Sequence, residues 1–64
     1  MKRYKVKEII KMLNEDGWYL KRQKGSHRQF RHVNKPGTVT VPGHDNETMK
    51  QSTLNSIFKQ AGWI

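Results

Sequence analysis

Hydrophobic residues near the start of the chain recur at helical spacing. Between Tyr4 and Asp16 they occupy positions i, i+3, i+4 and i+7, which makes one apolar stripe along a helix: Val6, Ile9, Ile10 and Leu13. Gly17 can adopt the left-handed conformation that often follows the last turn of a helix. The pattern predicts a first helix over 4–16, ended by Gly17.

Three short segments after this helix have the composition and alternation of β-strands. In the first, Trp18 and Leu20 share one face and Tyr19 and Lys21 the other, because side chains alternate along a strand. The third is β-branched throughout and is followed by Pro42, which cannot continue a strand. The predicted strands cover 18–23, 27–33 and 38–41, with turns at 24–26 and 34–37.

The last hydrophobic stripe predicts a second helix after a polar loop over 43–51. Ser52 is the expected N-cap, since its hydroxyl can accept a hydrogen bond from a backbone N–H two or three residues on. Gly62 is expected to end the helix, and Trp63 to fold back on its last turn. The stripe itself consists of Leu54, Ile57, Phe58 and Ala61.

The predicted order of elements is α-β-β-β-α, which belongs to the α+β class. Three consecutive strands joined by short turns form an antiparallel sheet. Both helical stripes require burial, so we expect the two helices to share one face of the sheet and to leave the other face open. We interpret residues 1–64 as a single small domain.

The expected burial of Phe30 indicates which face of the second strand is open. It is the residue of that strand that most requires burial, and Arg28 and His32 share its face. If Phe30 faces the helices, His27 lies on the opposite, open face or at its rim. Inward packing of Trp18, Val39 and Val41 would place further polar and aromatic side chains on that open face: Tyr19, Lys21, Gln29, Arg31, Thr38 and Thr40.

The charge of the chain indicates a polyanionic partner. Thirteen Lys and Arg against five Asp and Glu give a net charge of +8, and such a surface binds nucleic acid by releasing counterions from phosphates. No cysteine is present, which excludes disulfides and thiol chemistry. The first residues lead into no continuous apolar stretch, so we expect a cytoplasmic protein without a membrane segment.

Three sequence elements resemble the HicA toxin family, also called the YcfA-like family. A Gly-Ser-His motif is followed closely by an aromatic residue in 23–30, Thr-Val-Pro-Gly-His forms 40–44, and 53–62 is similar to the closing helix of the family. In this order and spacing they cover nearly the whole chain. One departure is the start of the first helix, where Arg3-Tyr4-Lys5 replaces a small polar cap.

The resemblance implies a fold like that of double-stranded-RNA-binding domains and the activity of an mRNA interferase. It places His27 in the catalytic position and a HicB-type antitoxin as protein partner, in a type II toxin–antitoxin system. RNA carries its own nucleophile, the ribose 2′-OH, so no metal ion or cofactor is required. Histidine suits general acid or base catalysis because imidazole exchanges a proton near physiological pH.

Other residues around the motif are candidates for RNA or phosphate binding. Gly25 is expected to have a positive φ, and Ser26 to orient neighbouring groups rather than to act as a nucleophile. His44 is either an auxiliary proton-transfer group or a loop cap, and a zinc site formed by three histidines is disfavoured because His32 faces away from His27. The candidate phosphate-binding set is Lys21, Arg22, Lys24, Gly25, Ser26 and Arg28.

Two other functions are compatible with a basic chain of this size. A non-catalytic module of the double-stranded-RNA-binding type would also have a basic surface and contact phosphates and 2′-OH groups, but it does not require the Gly-Ser-His motif. A DNA-binding repressor needs an exposed recognition helix, whereas both helices here carry stripes that must be buried.

Overall fold

The computed structural model, which describes residues 2–64, consists of two helices and a three-stranded antiparallel sheet. The predicted order is confirmed, and the strands lie in chain order across the sheet. β1 is one residue longer than predicted, whereas β2 and β3 are each one residue shorter. The elements are α1 (Val6–Glu15), β1 (Trp18–Lys24), β2 (His27–His32), β3 (Val39–Val41) and α2 (Gln51–Gln60).

The core lies between the two helices and one face of the sheet. Phe30 pairs with Val39 on one side and with Leu20 on the other, and directly paired residues share a face. The prediction that both helices cover one face and leave the other open is confirmed, although Leu20, at the sheet edge, remains 48% exposed. The buried side chains are those of Val6, Ile9, Leu13, Trp18, Phe30, Val39, Val41, Met49, Leu54, Ile57 and Ala61.

The loop between β3 and α2 caps the start of α1. The Val6 N–H donates to the Glu47 carbonyl at 2.9 Å, and the Lys7 N–H donates to the Asp45 carbonyl at 3.0 Å. The first N–H groups of a helix have no partner within the helix, so these bonds satisfy two of them. Backbone carbonyls from the loop thus replace the small polar cap that the sequence lacks.

The second helix begins earlier than predicted. Its N-cap is Lys50 and its first residue is Gln51, so the prediction of Ser52 as the cap is wrong. The reason is that Met49 is buried and its N–H donates to the Tyr4 carbonyl at 2.8 Å, which fixes the chain against α1 just before α2 begins. Ser52 therefore lies within the first turn of α2.

Candidate nucleic-acid interface

A bulge in β1 changes which of its side chains lie on the open face. Leu20 pairs with Phe30, but the next paired residue is Arg22, opposite Gln29, so Lys21 is the extra residue of a β-bulge. Since paired residues share a face, Arg22 lies on the open face with Gln29. Strict alternation from Leu20 would have placed Arg22 on the core side.

A two-residue turn brings Lys24 and His27 side by side. These residues are paired in the sheet, so Gly25 and Ser26 form the turn. Gly25 has a φ of +58°, as predicted, and Ser26 does not have a positive φ, which is the pattern of a type II′ hairpin turn. The side-chain amide of Gln23 donates to the Gly25 carbonyl at 3.0 Å and stabilises the turn.

The bulge and the turn together form what we name the cationic cleft, lined by Arg22, Lys24, His27 and Gln29, with a volume of about 580 Å³. His27 is exposed, and within residues 2–64 no group hydrogen-bonds to its imidazole. The two cations can bind a phosphate, and the imidazole, which is free to rotate, can exchange a proton with a hydroxyl group beside that phosphate. The parity argument that placed His27 on the open face agrees with this geometry.

His27 also lines a second cleft, on the side of β3 and α2. We name it the hydroxyl cleft, because four of the side chains that line it are hydroxyl-bearing. His27 is therefore a shared wall of two clefts of different chemistry. The other residues that line the hydroxyl cleft are Thr40, Pro42, Ser52, Thr53, Ser56 and Ile57.

Four of the six predicted phosphate-binding residues do not line either cleft with His27: the turn residues Gly25 and Ser26, and also Arg28 and Lys21. Arg28 is on the core side of β2, where its guanidinium forms an ion pair with Asp45 at 2.8 Å, and its side chain is only 19% exposed. Lys21 is the bulge residue, exposed but unpaired in the register with β2. Since Lys21 falls in the bulge, the expectation that strand alternation places it on the open face does not apply.

The auxiliary candidate His44 lies in the loop that caps α1. Its side chain is exposed, and its backbone N–H donates to the Glu47 carboxylate at 3.0 Å. The side chains that line the two clefts beside His27 do not include His44 among the described residues. The structure therefore brings His27 together with Arg22 and Lys24, and leaves His44 apart.

His32, at the other end of β2, is held by the backbone. Its Nδ1 accepts hydrogen bonds from the N–H groups of Asn34 at 3.0 Å and Lys35 at 3.2 Å. Because Nδ1 accepts, the ring proton is on Nε2, which donates to the Asp16 carbonyl at 2.7 Å. Within residues 2–64 no three His, Cys, Asp or Glu side chains are grouped so as to hold a metal ion.

Asp16 joins the ends of several elements through one carboxylate oxygen. That oxygen accepts hydrogen bonds from Lys35 at 2.7 Å and from the indoles of Trp18 and Trp63 at 3.1 Å each. The hydrogen bond from Lys35, followed by that from Trp63, lowers the pKa of Asp16 below its ordinary value of 3.8. Sequence reasoning missed this network. It correctly predicted that Trp63 folds back on α2, where the backbone N–H of Trp63 donates to the Phe58 carbonyl at 2.8 Å.

The fold and the cationic cleft define a small α+β domain with a basic, open sheet face. A family model described as the HicA toxin of bacterial toxin–antitoxin systems matches residues 6–63. The chain therefore belongs to the HicA toxin family, as the three sequence elements predicted. A comparison with curated proteins gives no match. Within residues 2–64, neither helix has the length and apolar character required to cross a membrane.

Proposed function

We propose that this HicA-family protein is an endoribonuclease of a type II toxin–antitoxin system that cleaves mRNA without a metal ion. The observation that carries the proposal is the position of Arg22 and Lys24 beside the exposed, unrestrained His27. The cationic cleft is open along the sheet face, so a single strand of RNA can lie across it. Lys and Arg contacts to phosphates supply binding that does not depend on sequence.

His27 supplies proton transfer in the proposed reaction. The 2′-oxygen of a ribose attacks the adjacent phosphorus, the bond to the 5′-oxygen breaks, and a 2′,3′-cyclic phosphate forms. One proton must leave the 2′-OH and one must reach the departing 5′-oxygen, and His27 acts as general acid or base in this exchange. Such a group contributes roughly 10²- to 10⁴-fold, while Arg22 and Lys24 stabilise the negative charge on phosphorus.

A HicB-type antitoxin is the proposed protein partner, and we place its binding surface over the cationic cleft. Acidic or hydrogen-bonding groups of the antitoxin would take the place of RNA phosphates beside His27. A standard interface buries roughly 800 Å² on each partner, which compares with 4438 Å² of accessible surface for this chain. About a fifth of the toxin surface would be covered, enough to include the cleft and both neighbouring cations.

The test of catalysis is incubation of the purified protein and its His27→Ala variant with a defined RNA in EDTA. We expect the wild type to cleave and to leave 2′,3′-cyclic or 3′-phosphate and 5′-hydroxyl ends, and RNA with a 2′-O-methyl group at the cleaved position to resist. Products with 5′-phosphate ends would contradict 2′-OH attack. Binding of RNA without cleavage would favour the alternative, a non-catalytic module of the double-stranded-RNA-binding type.

The position of the antitoxin is tested by competition. If the antitoxin covers the cationic cleft, RNA and antitoxin exclude each other from the His27→Ala toxin. A stable ternary complex of this variant, antitoxin and uncleaved RNA would show that the antitoxin binds elsewhere and controls the toxin indirectly.

A further inference from the structure

The hydroxyl cleft differs chemically from the cationic cleft, although His27 lines both. Among the described residues, its lining includes no Lys, Arg, Asp or Glu. Its volume is about 310 Å³, at the lower end of the roughly 300–1,000 Å³ of small-ligand sites. Apart from His27, the cleft has no side chain that can neutralise a phosphate, but it can hold one small neutral group.

The hydrogen bonds around Ser56 leave its hydroxyl proton available. The side-chain amide of Gln60 donates to the Ser56 hydroxyl oxygen at 2.9 Å, and the Gln60 carbonyl oxygen accepts the Thr40 backbone N–H at 3.1 Å. Gln60 therefore ties α2 to the outer edge of β3 and orients Ser56. Since a hydroxyl has one donor as well as two acceptor sites, Ser56 can still donate to a ligand acceptor.

The cleft combines hydroxyl groups with apolar surface. Pro42 and Ile57 line it beside the hydroxyls of Thr40, Ser52, Thr53 and Ser56. A nucleoside has matching chemistry, with an apolar base plane, base-edge donors and acceptors, and ribose hydroxyls. Proteins recognise single-stranded RNA by stacking bases on aromatic or guanidinium planes and by hydrogen bonds to base edges, and the imidazole of His27 is the aromatic ring at this cleft.

We propose that the hydroxyl cleft binds the nucleoside on one side of the cleaved bond and determines which nucleotide is preferred there. The proposal rests on the function proposed above, RNA cleavage at His27. Phosphate contacts position a nucleic acid, whereas contacts to bases specify it. The two clefts thus divide these tasks: Arg22 and Lys24 bind the backbone of any RNA, and Ser56 and Thr40 discriminate between bases.

The first experiment measures cleavage of four RNAs that differ only in the nucleotide beside the cut. Ser56→Ala and Thr40→Val should each change the relative rates on the four RNAs by about 2- to 10-fold, the size of one hydrogen bond. Lys24→Gln should slow cleavage of all four by the same factor. Thr38→Val, one residue before β3, and Asn55→Ala, in α2, are matched controls outside the cleft, and they should leave the preference unchanged.

The second experiment measures binding separately from catalysis. The His27→Ala protein is titrated with adenosine, guanosine, cytidine and uridine while backbone amide NMR shifts are recorded. The preferred nucleoside should shift the Thr53 and Ser56 amides, and Ser56→Ala should reduce that shift. If the wild type cleaves none of the RNAs but these shifts persist, the proposed function fails while the nucleoside site stands.

Two results would overturn the proposal. One is an unchanged nucleotide preference in both Ser56→Ala and Thr40→Val. The other is a loss of antitoxin affinity in these variants with RNA preference intact, which would assign the hydroxyl cleft to the protein partner.

Discussion

The two ends of β2 each carry a histidine, and the two histidines differ in sheet face, in exposure and in hydrogen bonding. His27 begins the strand on the open face, with an exposed imidazole between two clefts. His32 ends it on the core side, in edge-to-face contact with Trp18 at 5.2 Å between ring centroids. Three backbone groups hydrogen-bond to His32. An odd separation along the strand places the two rings on opposite faces.

The difference shows what frees a histidine for chemistry. Rotation of the His32 ring would break the hydrogen bonds that Nδ1 accepts from Asn34 and Lys35, so the fold fixes this ring in one orientation. His27 loses no hydrogen bond of the folded protein when its ring rotates. The same residue type thus stabilises the fold at one end of β2 and remains free to react at the other.

Replacement of His27 should have the largest effect on RNA cleavage and very little effect on stability. We expect His27→Ala to lower the RNA cleavage rate by about 10²- to 10⁴-fold, the contribution of one proton-transfer group. The free energy of unfolding should change by no more than about 0.5 kcal/mol, because the side chain is exposed and unbonded. Cleavage assays and urea denaturation measure the two quantities. A variant that cleaves at the wild-type rate would remove His27 from the mechanism.

Replacement of His32 should give the reverse result. His32→Ala removes the acceptor for two backbone N–H groups and the donor to the Asp16 carbonyl, and unsatisfied partly buried groups cost about 1–3 kcal/mol. Urea denaturation should show this loss, whereas the folded fraction should cleave RNA at the wild-type rate. Normal stability combined with lost activity would mean that the roles assigned to the two histidines are exchanged.

Gly17 tests how tightly the His32 end is packed. Its φ is +98°, and a Cβ added there would lie 2.8 Å from Nε2 of His32. We expect Gly17→Ala to destabilise the protein by about 1–2 kcal/mol through backbone strain alone, with more from displacement of the ring. Gly37→Ala is the matched control, because Gly37 has a φ of +83° but no atom within 4 Å of the added Cβ. Equal melting temperatures for the two variants would argue against tight packing around His32.

The cations of β1 provide a test of the His27 end. The substitutions are made in the His27→Ala protein, which should bind RNA without cleaving it. In that protein, Lys24→Gln should reduce by about 0.7 the steepness with which the logarithm of the association constant for single-stranded RNA falls with the logarithm of the salt concentration. Lys21→Gln changes the same charge on the bulge residue, outside the cationic cleft, and should reduce the slope less. Equal reductions would show that RNA does not distinguish the cleft from the rest of β1.

Acid should weaken the hydrogen-bond network around Asp16. The hydrogen bond from Lys35 lowers the pKa of Asp16 below 3.8 in the folded protein. A depressed folded-state pKa stabilises the protein above the ordinary value, and this stabilisation is lost as the pH falls from about 4 through the folded pKa. Between pH 5 and pH 2.5, the wild type should therefore lose more unfolding free energy than Asp16→Asn. Parallel curves for the two proteins would contradict this role.

Short-range patterns predicted most of the fold and the position of His27. Periodic apolar residues defined both helices, and Phe30 determined the parity of β2. The bulge at Lys21 could not be predicted, because Lys21, Arg22, Gln23 and Lys24 are all polar and none of them marks a buried face. Parity without the bulge would have assigned Arg22 and Lys24 to the core side, away from His27.

Interactions between distant parts of the chain were also outside the reach of sequence patterns. Asp16 and Trp63 are 47 positions apart and meet only after α2 has packed on the sheet. The hydroxyl cleft depends on how α2 lies against the edge of β3, and its serines and threonines appear along the chain as ordinary polar positions. Sequence reasoning identified the exposed face but could not show which of its neighbours form a second cleft.

The bulge at Lys21 has a further consequence, for the solubility of the free toxin. The two edge strands of the sheet are β1 and β3. The Thr40 N–H on the edge of β3 donates to the side chain of Gln60, whereas the edge of β1, a strand of seven residues, pairs with no other strand. Unpaired edge strands can pair between copies of a protein and lead to aggregation. A bulge opposes this pairing because it twists the strand, and a lysine opposes it because it adds like charge. Deletion of Lys21 would straighten β1 and remove one charge. We therefore expect Lys21, although it lies outside the cleft, to oppose pairing between copies of the chain.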